Sequence, residues 1–344
     1  MEGELLMIDI DMKVASQPVK AQDLLPDGSS AATLTSLIGC AILAPPTHNA
    51  QPWKFSITGN EIQLFADRRR WLKVADPDQR EMFVSVGCAL ENMLVAAEHF
   101  GYRFEVAYFP SSGDQDLVAS IQFSPFGQPS DFRDAALFEA ISGRHTNRKV
   151  FDSRPIPQAD LMRLETCCAE RYIYLHMTDD SATKDKLDEL MFYADAVEFA
   201  NPAFRAELAD WMRPALLSRS WLLAKVGQFA AAYLSDGEVE AAKDSRALRS
   251  APVFALVSSR EDDRESQVLA GQAFERIWLT ATALGISVQP MNQILHIPGL
   301  GADVTRLIPA PHVCPQIMFR LGYAELEKRH TPRRPLKEVL LQVT

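Results

Sequence analysis

Two clusters of polar side chains carry most of the chemistry this chain could do. The first is Ala44-Pro45-Pro46-Thr47-His48-Asn49-Ala50-Gln51-Pro52-Trp53. Each proline ring fixes φ and removes an N–H, and each pushes the residue before it towards extended geometry. Thr47, His48, Asn49 and Gln51 therefore sit on a stiff loop. More polar groups are present than a turn requires, and the loop suits a polar, planar ligand. The alternative is a plain helix-to-strand connection ending in a buried Trp53. The second cluster is Gly143-Arg144-His145-Thr146-Asn147-Arg148-Lys149. Two guanidiniums, an imidazole, a hydroxyl, an amide and an ammonium at a helix end suit a phosphate, through charge-assisted and bidentate hydrogen bonds. An exposed basic loop is the alternative. A third basic stretch, Pro332-Arg333-Arg334-Pro335-Leu336, lies near the C-terminus.

Other candidates are weaker. Arg68-Arg69-Arg70 reads as a solvated face before it reads as a phosphate contact. Gly299-Leu300-Gly301 lacks the third glycine of a dinucleotide fingerprint. His296 and His312 have no metal-ligand spacing and read as satisfied or exposed. The five cysteines form no C-x-x-C, which argues against a disulfide framework or a thiolate metal site. Together with an acidic start, where a signal peptide would be basic, they point to a reducing cytoplasm. The net charge of −10 offers nothing to a nucleic acid. No apolar run reaches the roughly 18 residues that span a bilayer. At 344 residues, 47% hydrophobic and 23% charged, the chain has the composition of a globular protein with a sizeable core.

The elements that must position these clusters follow from periodicity. Residues 1–30 read as an arm or loop. A helix over 32–43 leads into the proline-rich loop, and a hairpin over 53–66 follows it. Asp76-Pro77-Asp78 predicts an N-cap with proline in the first turn, and a long apolar helix then runs over 79–99 to Gly101. Strands are expected over 103–109 and 117–123. A short helix over 133–141 delivers the basic cluster, and another runs over 157–168. A strand over 171–177 precedes a helical region, 180–246, rich in large apolar groups such as Phe192, Val197, Phe204, Trp211 and Trp221. That region reads as an insertion covering something, or as ordinary core. A strand over 251–258, a long helix over 267–284, a short strand over 286–292 and a strand over 315–323 complete the order.

The two halves repeat each other. Val86-Gly87-Cys88-Ala89-Leu90-Glu91 and Ala270-Gly271-Gln272-Ala273-Phe274-Glu275 share V/A-G-x-A-[LF]-E, and both long helices run on to a glycine and a strand. A fused pseudo-dimer explains the length. Its N-terminal lobe would take 1–130 and its C-terminal lobe 131–344, with the helical insertion at about 180–246.

Three motifs, taken in order, resemble the nitroreductase superfamily of FMN-binding α+β enzymes. They are Ala-Pro-x-x-x-Asn-x-Gln-Pro-Trp at 44–53, Arg-His-Thr-x-Arg at 144–148 and Pro-Arg-x-Pro-Leu at 332–336. The fused length, the Asp-Pro-x-x-Arg-Glu before the long helix and the mid-chain Arg-His-Thr-Asn-Arg resemble, more narrowly, the dormancy-associated Acg subfamily. The resemblance spans about residues 33–340. It implies an oxidoreductase carrying reducing equivalents from NAD(P)H through FMN to a small acceptor such as a nitroaromatic or quinone, with no side chain needed as acid or base. It implies that Arg144, His145, Thr146 and Arg333 hold the phosphate and ribityl chain. Arg148 would reach the N1/O2 edge. Pro45, Pro46, Thr47 and Asn49, with Gln51 in the same loop, would come from the other lobe and line the ring. Gln289, Pro290 and Met291 would lie near N5, and Arg246 or Arg249 could add a contact. The N-terminal half lacks a basic motif before Arg68, and the C-terminal half lacks the proline-rich loop. One complete site, hence one FMN per chain, is expected. Pro46 stands where family members often have Ser. The competing expectation is a flavin-storage protein whose insertion excludes a nicotinamide. The fused chain could act alone or pair further.

Overall fold

A computed structural model of the chain describes residues 30–125, 127–128, 130–216, 237–307, 313–327 and 331–341. The expected N-terminal arm and Trp221 lie outside these residues, as does His312. Helix α1 (Ser30–Ala41) enters the proline-rich loop, where Thr47–Asn49 form one 3-10 turn. Strands β1 (Trp53–Thr58) and β2 (Glu61–Ala66) pair from Trp53↔Ala66 to Thr58↔Glu61. The two residues between them include Gly59 at φ +58°, as a tight hairpin requires. Every second residue of β2 is buried, the alternation of a strand with one face on the core.

Helix α2 (Arg80–His99) begins differently from the sequence expectation. Gln79 is its N-cap, in left-handed conformation. Asp76 still satisfies the helix start, its carboxylate accepting from the backbone N–H groups of Glu81 and Met82, both at 3.0 Å. The loop folds back so that a residue outside the helix reaches its first turn. Residues 81–98 of α2 are all buried, because the helix is enclosed on every side. Strands β3 (Tyr102–Tyr108) and β4 (Leu117–Pro125) complete a four-stranded antiparallel sheet, order β1-β2-β4-β3.

Helix α3 (Ala135–Gly143) ends at the basic cluster, and α4 (Gln158–Glu165) follows. The second sheet has the order β5-β6-β8-β7, from β5 (Ile173–Thr178), β6 (Val253–Ser259), β7 (Ser287–Pro290) and β8 (Cys314–Gly322). All of β6 is buried, since helices cover both faces of this sheet. On one face lies α8 (Arg264–Ala283), capped by Asp263, whose side chain accepts from Ser266 N. The outer face carries α5 (Ser181–Ala200) and α7 (Gly237–Ser250), with the short α9 (Gln293–His296) and α10 (Leu300–Leu307). Leu187, Met191 and Ala194 of α5 pack there against Phe254, Leu256 and Met318.

Helices α2 and α8 form the seam between the two sheet-and-helix lobes. They cross at Gly87 and Gly271, where a Cβ on Gly87 would stand 2.1 Å from Val268 O and one on Gly271 2.2 Å from Val84 O. Only glycine permits this approach. The repeat seen in the sequence is thus the crossing point of a pseudo-dimer.

Two segments cross the seam. Helix α6 (Pro202–Leu216), from the insertion, packs Phe204, Leu208 and Trp211 on Ala50, Leu72, Val74 and Ala75 of the first lobe. Glu207 accepts the N–H groups of Val74 and Ala75 at 3.1 and 2.9 Å. The insertion therefore covers the proline-rich loop. Phe192 and Val197, expected among its packing groups, point outward at 42% and 38% exposure. The C-terminal tail crosses too. Its last helix, α11 (Leu336–Val339), packs on β1, and Leu341 N donates to Phe55 O at 2.7 Å. Among the described residues no helix is long and apolar enough to cross a membrane.

Candidate functional site

The site is assembled from the loop after α1, the start of α2, the segment after α3, the end of β7 and the tail before α11. The loop itself is strained. His48, Asn49 and Gln51 all have positive φ (48°, 58° and 52°), a conformation non-glycine residues hold only when their surroundings impose it. The tail is one of those surroundings. Arg333 donates to Asn49 Oδ1 (2.9 Å) and to the carbonyls of Leu43 and Ala44 (3.2 Å each). Asn49 Nδ2 donates to Pro332 O (3.1 Å), and Gln51 Oε1 accepts from Arg334 N (2.7 Å).

Arg144 reaches the same place from the other lobe. It is buried, donates to Leu43 O (3.3 Å) and lies over the Trp278 ring at 4.5 Å. Its carboxylate partner is Glu275 of α8, at 3.4 Å. With its amide oriented by its neighbours, Asn92 donates to Glu275 Oε1 (2.9 Å) and accepts from Ala44 N (3.2 Å). Burial, countered by Glu275, lowers the Arg144 pKa. Burial and then the Arg144 charge bring Arg333 down to about 9. Two guanidiniums thus share one carboxylate, and the Nε atoms of both, with Glu275 Oε2, are buried without a hydrogen-bond partner.

Pseudo-symmetry supplies an internal reference. Glu91 is the repeat partner of Glu275, and Arg276 that of Asn92. Glu91 accepts from Arg133 at 2.7 and 3.0 Å and from Arg276 at 2.7 and 2.8 Å. Burial alone would raise the Glu91 pKa, but the two guanidiniums outweigh it and hold it at about 2. That side is saturated and has no orphaned donor among these groups. The Arg144–Glu275 side, by contrast, leaves the Nε donors of both Arg144 and Arg333 unbonded.

At the start of the 3-10 turn, Thr47 Oγ1 donates to Glu81 Oε2 (2.5 Å), Asn292 Nδ2 donates to Glu81 Oε1 (2.6 Å), and His296 meets the same carboxylate at 3.4 Å. Arg148 and His296 are within electrostatic reach of His48. Thr146 bridges Val288 of β7, and His145 Nδ1 lies 3.2 Å from Thr146 O. The structure thus brings Pro45, Pro46, Thr47, Asn49, Arg144, His145, Thr146, Arg148 and Arg333 into one region.

The side chains of Gln289 and Met291 are held elsewhere. Gln51 serves the tail. Gln289 Oε1 accepts from the buried Arg320 at 2.9 and 2.7 Å. Met291 is fully buried in the apolar cluster on the outer face of the second sheet, and Pro290 pairs with Phe319 within it. Arg249 is bound to Asp188 (2.6 Å). Arg70 is no solvated cation: it bonds Ala50 O and lies over Trp211 at 4.9 Å. The sequence reading missed Glu81, Asn92, Glu275 and His296. Glu275 was signalled by the repeat itself; the others needed tertiary contacts. A cavity of about 440 Å³ lies on the outer face of the second sheet, lined by His176, Thr183, Leu187, Phe254, Leu256 and Val304 among others. None of the expected cofactor residues lines it. Beneath the loop, between Thr47, Arg70 and Glu81, only about 10 Å³ is open.

A family model described as the Nitroreductase family matches residues 141–323, more than half of the chain. The chain belongs to the nitroreductase family. This nitroreductase is 27% identical over 343 residues to a Mycobacterium tuberculosis protein named "Putative NAD(P)H nitroreductase", covering 94% of each chain. It is 26% identical over 320 residues to "Putative NAD(P)H nitroreductase acg" of the same organism, covering 89% of this chain and 94% of that one. Among solved structures, the FMN-dependent nitroreductase NfnB from Mycobacterium smegmatis in complex with NADPH is 18% identical, with a TM-score of 0.44. It matches 61% of this nitroreductase and 98% of its own chain. The family assignment makes the protein an oxidoreductase of the nitroreductase type.

Proposed function

We propose that the chain binds one FMN at the seam and passes reducing equivalents from NAD(P)H to a small acceptor such as a nitroaromatic or quinone. The observation that carries the reading is the charge imbalance at Arg144, Arg333 and Glu275. Two buried guanidiniums with unbonded Nε donors face one carboxylate, which suits a phosphate. The saturated Glu91 on the opposite side supports a single FMN per chain. The lobes would part near residue 130.

In this reading Arg144 and Arg333 hold the phosphate, with His145 and Thr146 beside it. Pro45, Pro46, Thr47 and Asn49 line the ring from the first lobe. The Thr47 hydroxyl proton is committed to Glu81, so that oxygen faces a ligand as an acceptor. Arg148 supplies positive charge to the ring's N1/O2 edge. When bound, the flavin supplies hydride and electron transfer, and the protein supplies orientation and electrostatics.

One observation favours a second reading. Helix α6 and Glu207 hold the loop covered, as a flavin-sequestering protein would require. Anaerobic titration separates the two. An enzyme's flavin absorbance bleaches with NADPH or NADH; a store's bleaches with dithionite alone. A purified protein that neither carries nor takes up flavin overturns both.

A further inference from the structure

The strongest feature outside the phosphate pocket is a buried cluster at the junction of four elements. His296, from α9, has a side chain only 13% exposed. Its Nδ1 lies 2.6 Å from Glu198 Oε1 of α5, and its Nε2 lies 3.4 Å from Glu81 Oε1 of α2. Both carboxylates are buried. Glu81 also receives Thr47 Oγ1 and Asn292 Nδ2. Its backbone carbonyl accepts from Ser85 Oγ at 2.6 Å, and that hydroxyl accepts from Thr47 N at 3.4 Å.

We propose that His296 is a positioning residue that seats the helical insertion and the ring-facing loop as one unit, through Glu198 on one side and Glu81 with Thr47 on the other. A single imidazolium between two buried carboxylates joins them, because a buried carboxylate without a counter-charge is costly. Removing the cation would leave Glu81 and Glu198 facing each other and release both the end of α5 and the Thr47 turn.

The groups that face His296 are Glu198 from α5, Glu81 from α2 and His48 from the loop; Asp76 and Arg148 stand behind them. Burial alone would lower the His296 pKa, but the hydrogen bond to Glu198 and the ion pair with Glu81, in which Nε2 makes no hydrogen bond, outweigh this and raise it to about 10. The folded value lies above the unfolded one. The stabilisation is therefore complete below the unfolded value near 6.5 and is lost as pH rises through about 10. His296 is thus a fixed cation at neutral pH, not a proton shuttle.

The test is amide hydrogen exchange on the full chain, wild type against His296→Ala and Glu198→Gln. His296→Ala is expected to speed exchange by about tenfold or more in both 190–200 and 47–51, leaving β2 and β4 unchanged, as for a local opening. Glu198→Gln keeps the hydrogen bond and removes the charge. It should loosen 190–200 and 47–51 together, by a smaller factor than the alanine variant, and it carries the test if the alanine variant does not fold. Faster exchange in 190–200 with 47–51 unmoved overturns the coupling, as does no change in either segment. FMN release, which rests on the flavin reading, should speed up in the same variants. If the wild type binds no FMN, that reading fails and exchange alone decides the role of His296.

Discussion

Arg144 and Arg276 hold buried carboxylates in related positions, yet their surroundings assign them opposite tasks. Arg276 is fully buried and bonded to Glu91, to Glu170 (2.7 Å) and to Cys167 O (2.6 Å). Arg276→Ala strands Glu170 and leaves Glu91 with Arg133 alone, and should cost about 3–5 kcal/mol in a denaturant titration, the usual penalty for one lost partner of a buried pair. Arg144 has a looser partner and an unbonded Nε. Arg144→Ala should weaken FMN binding by about 2–5 kcal/mol while leaving riboflavin, which has no phosphate, little affected. Equal losses for both flavins would remove Arg144 from the phosphate. Glu275 gives a pH signature. Burial raises its carboxyl, Arg144 opposes this, and the group settles at about 7. Its folded value is above its unfolded one, so in flavin-free protein its contribution to stability declines as pH climbs from about 4.5 to about 7. Glu275→Gln should flatten that decline in urea midpoints between pH 5 and pH 8.

At the scale of elements, the chain announced most of its helices and strands, because apolar periodicity and glycine stops act locally. The long helices ending before Gly101 and Gly285, the hairpin at Gly59 and the four strands of the second sheet were all legible. Asp76 was legible as a cap, but not its reach past Gln79, since a loop's return path leaves no periodic trace. In the candidate site, the proline-rich loop and the basic cluster could be read as chemistry. The seats of Gln51, Gln289 and Met291 could not, because they depend on Arg334, Arg320 and the outer-face cluster, which are distant in sequence. The α2–α8 crossing is the element most sensitive to change. Gly87→Ala would drive a methyl into the Val268 carbonyl. A loss of about 1–3 kcal/mol is expected in thermal or urea unfolding, as for other overpacked contacts, whereas Gly59→Asn, with nothing within 4 Å of the added Cβ, should change stability little.

At the scale of the whole molecule, one fused chain has let two equivalent positions diverge. A homodimer cannot saturate Glu91 with arginines and leave Glu275 open, because every substitution appears twice. Fusion removes that restriction, and among the described residues the insertion covers a loop on one side only. FMN titration followed by fluorescence quenching should therefore saturate near one equivalent per chain. Two equivalents would mean that the Glu91 side also opens.

The tail gives this asymmetry a timetable. Arg333 meets Asn49 across 284 residues of sequence, so the first-lobe loop is made long before its counter-charge. A chain emerging from the ribosome N-terminus first would expose a strained, unbraced loop and a half-built pocket throughout synthesis. Under the proposed flavin reading, cofactor loading would then wait for the tail to reach the loop. A variant cut before residue 331 would lack Arg333 and its bond to Asn49, and under the proposed flavin reading it should take up less FMN than the full chain.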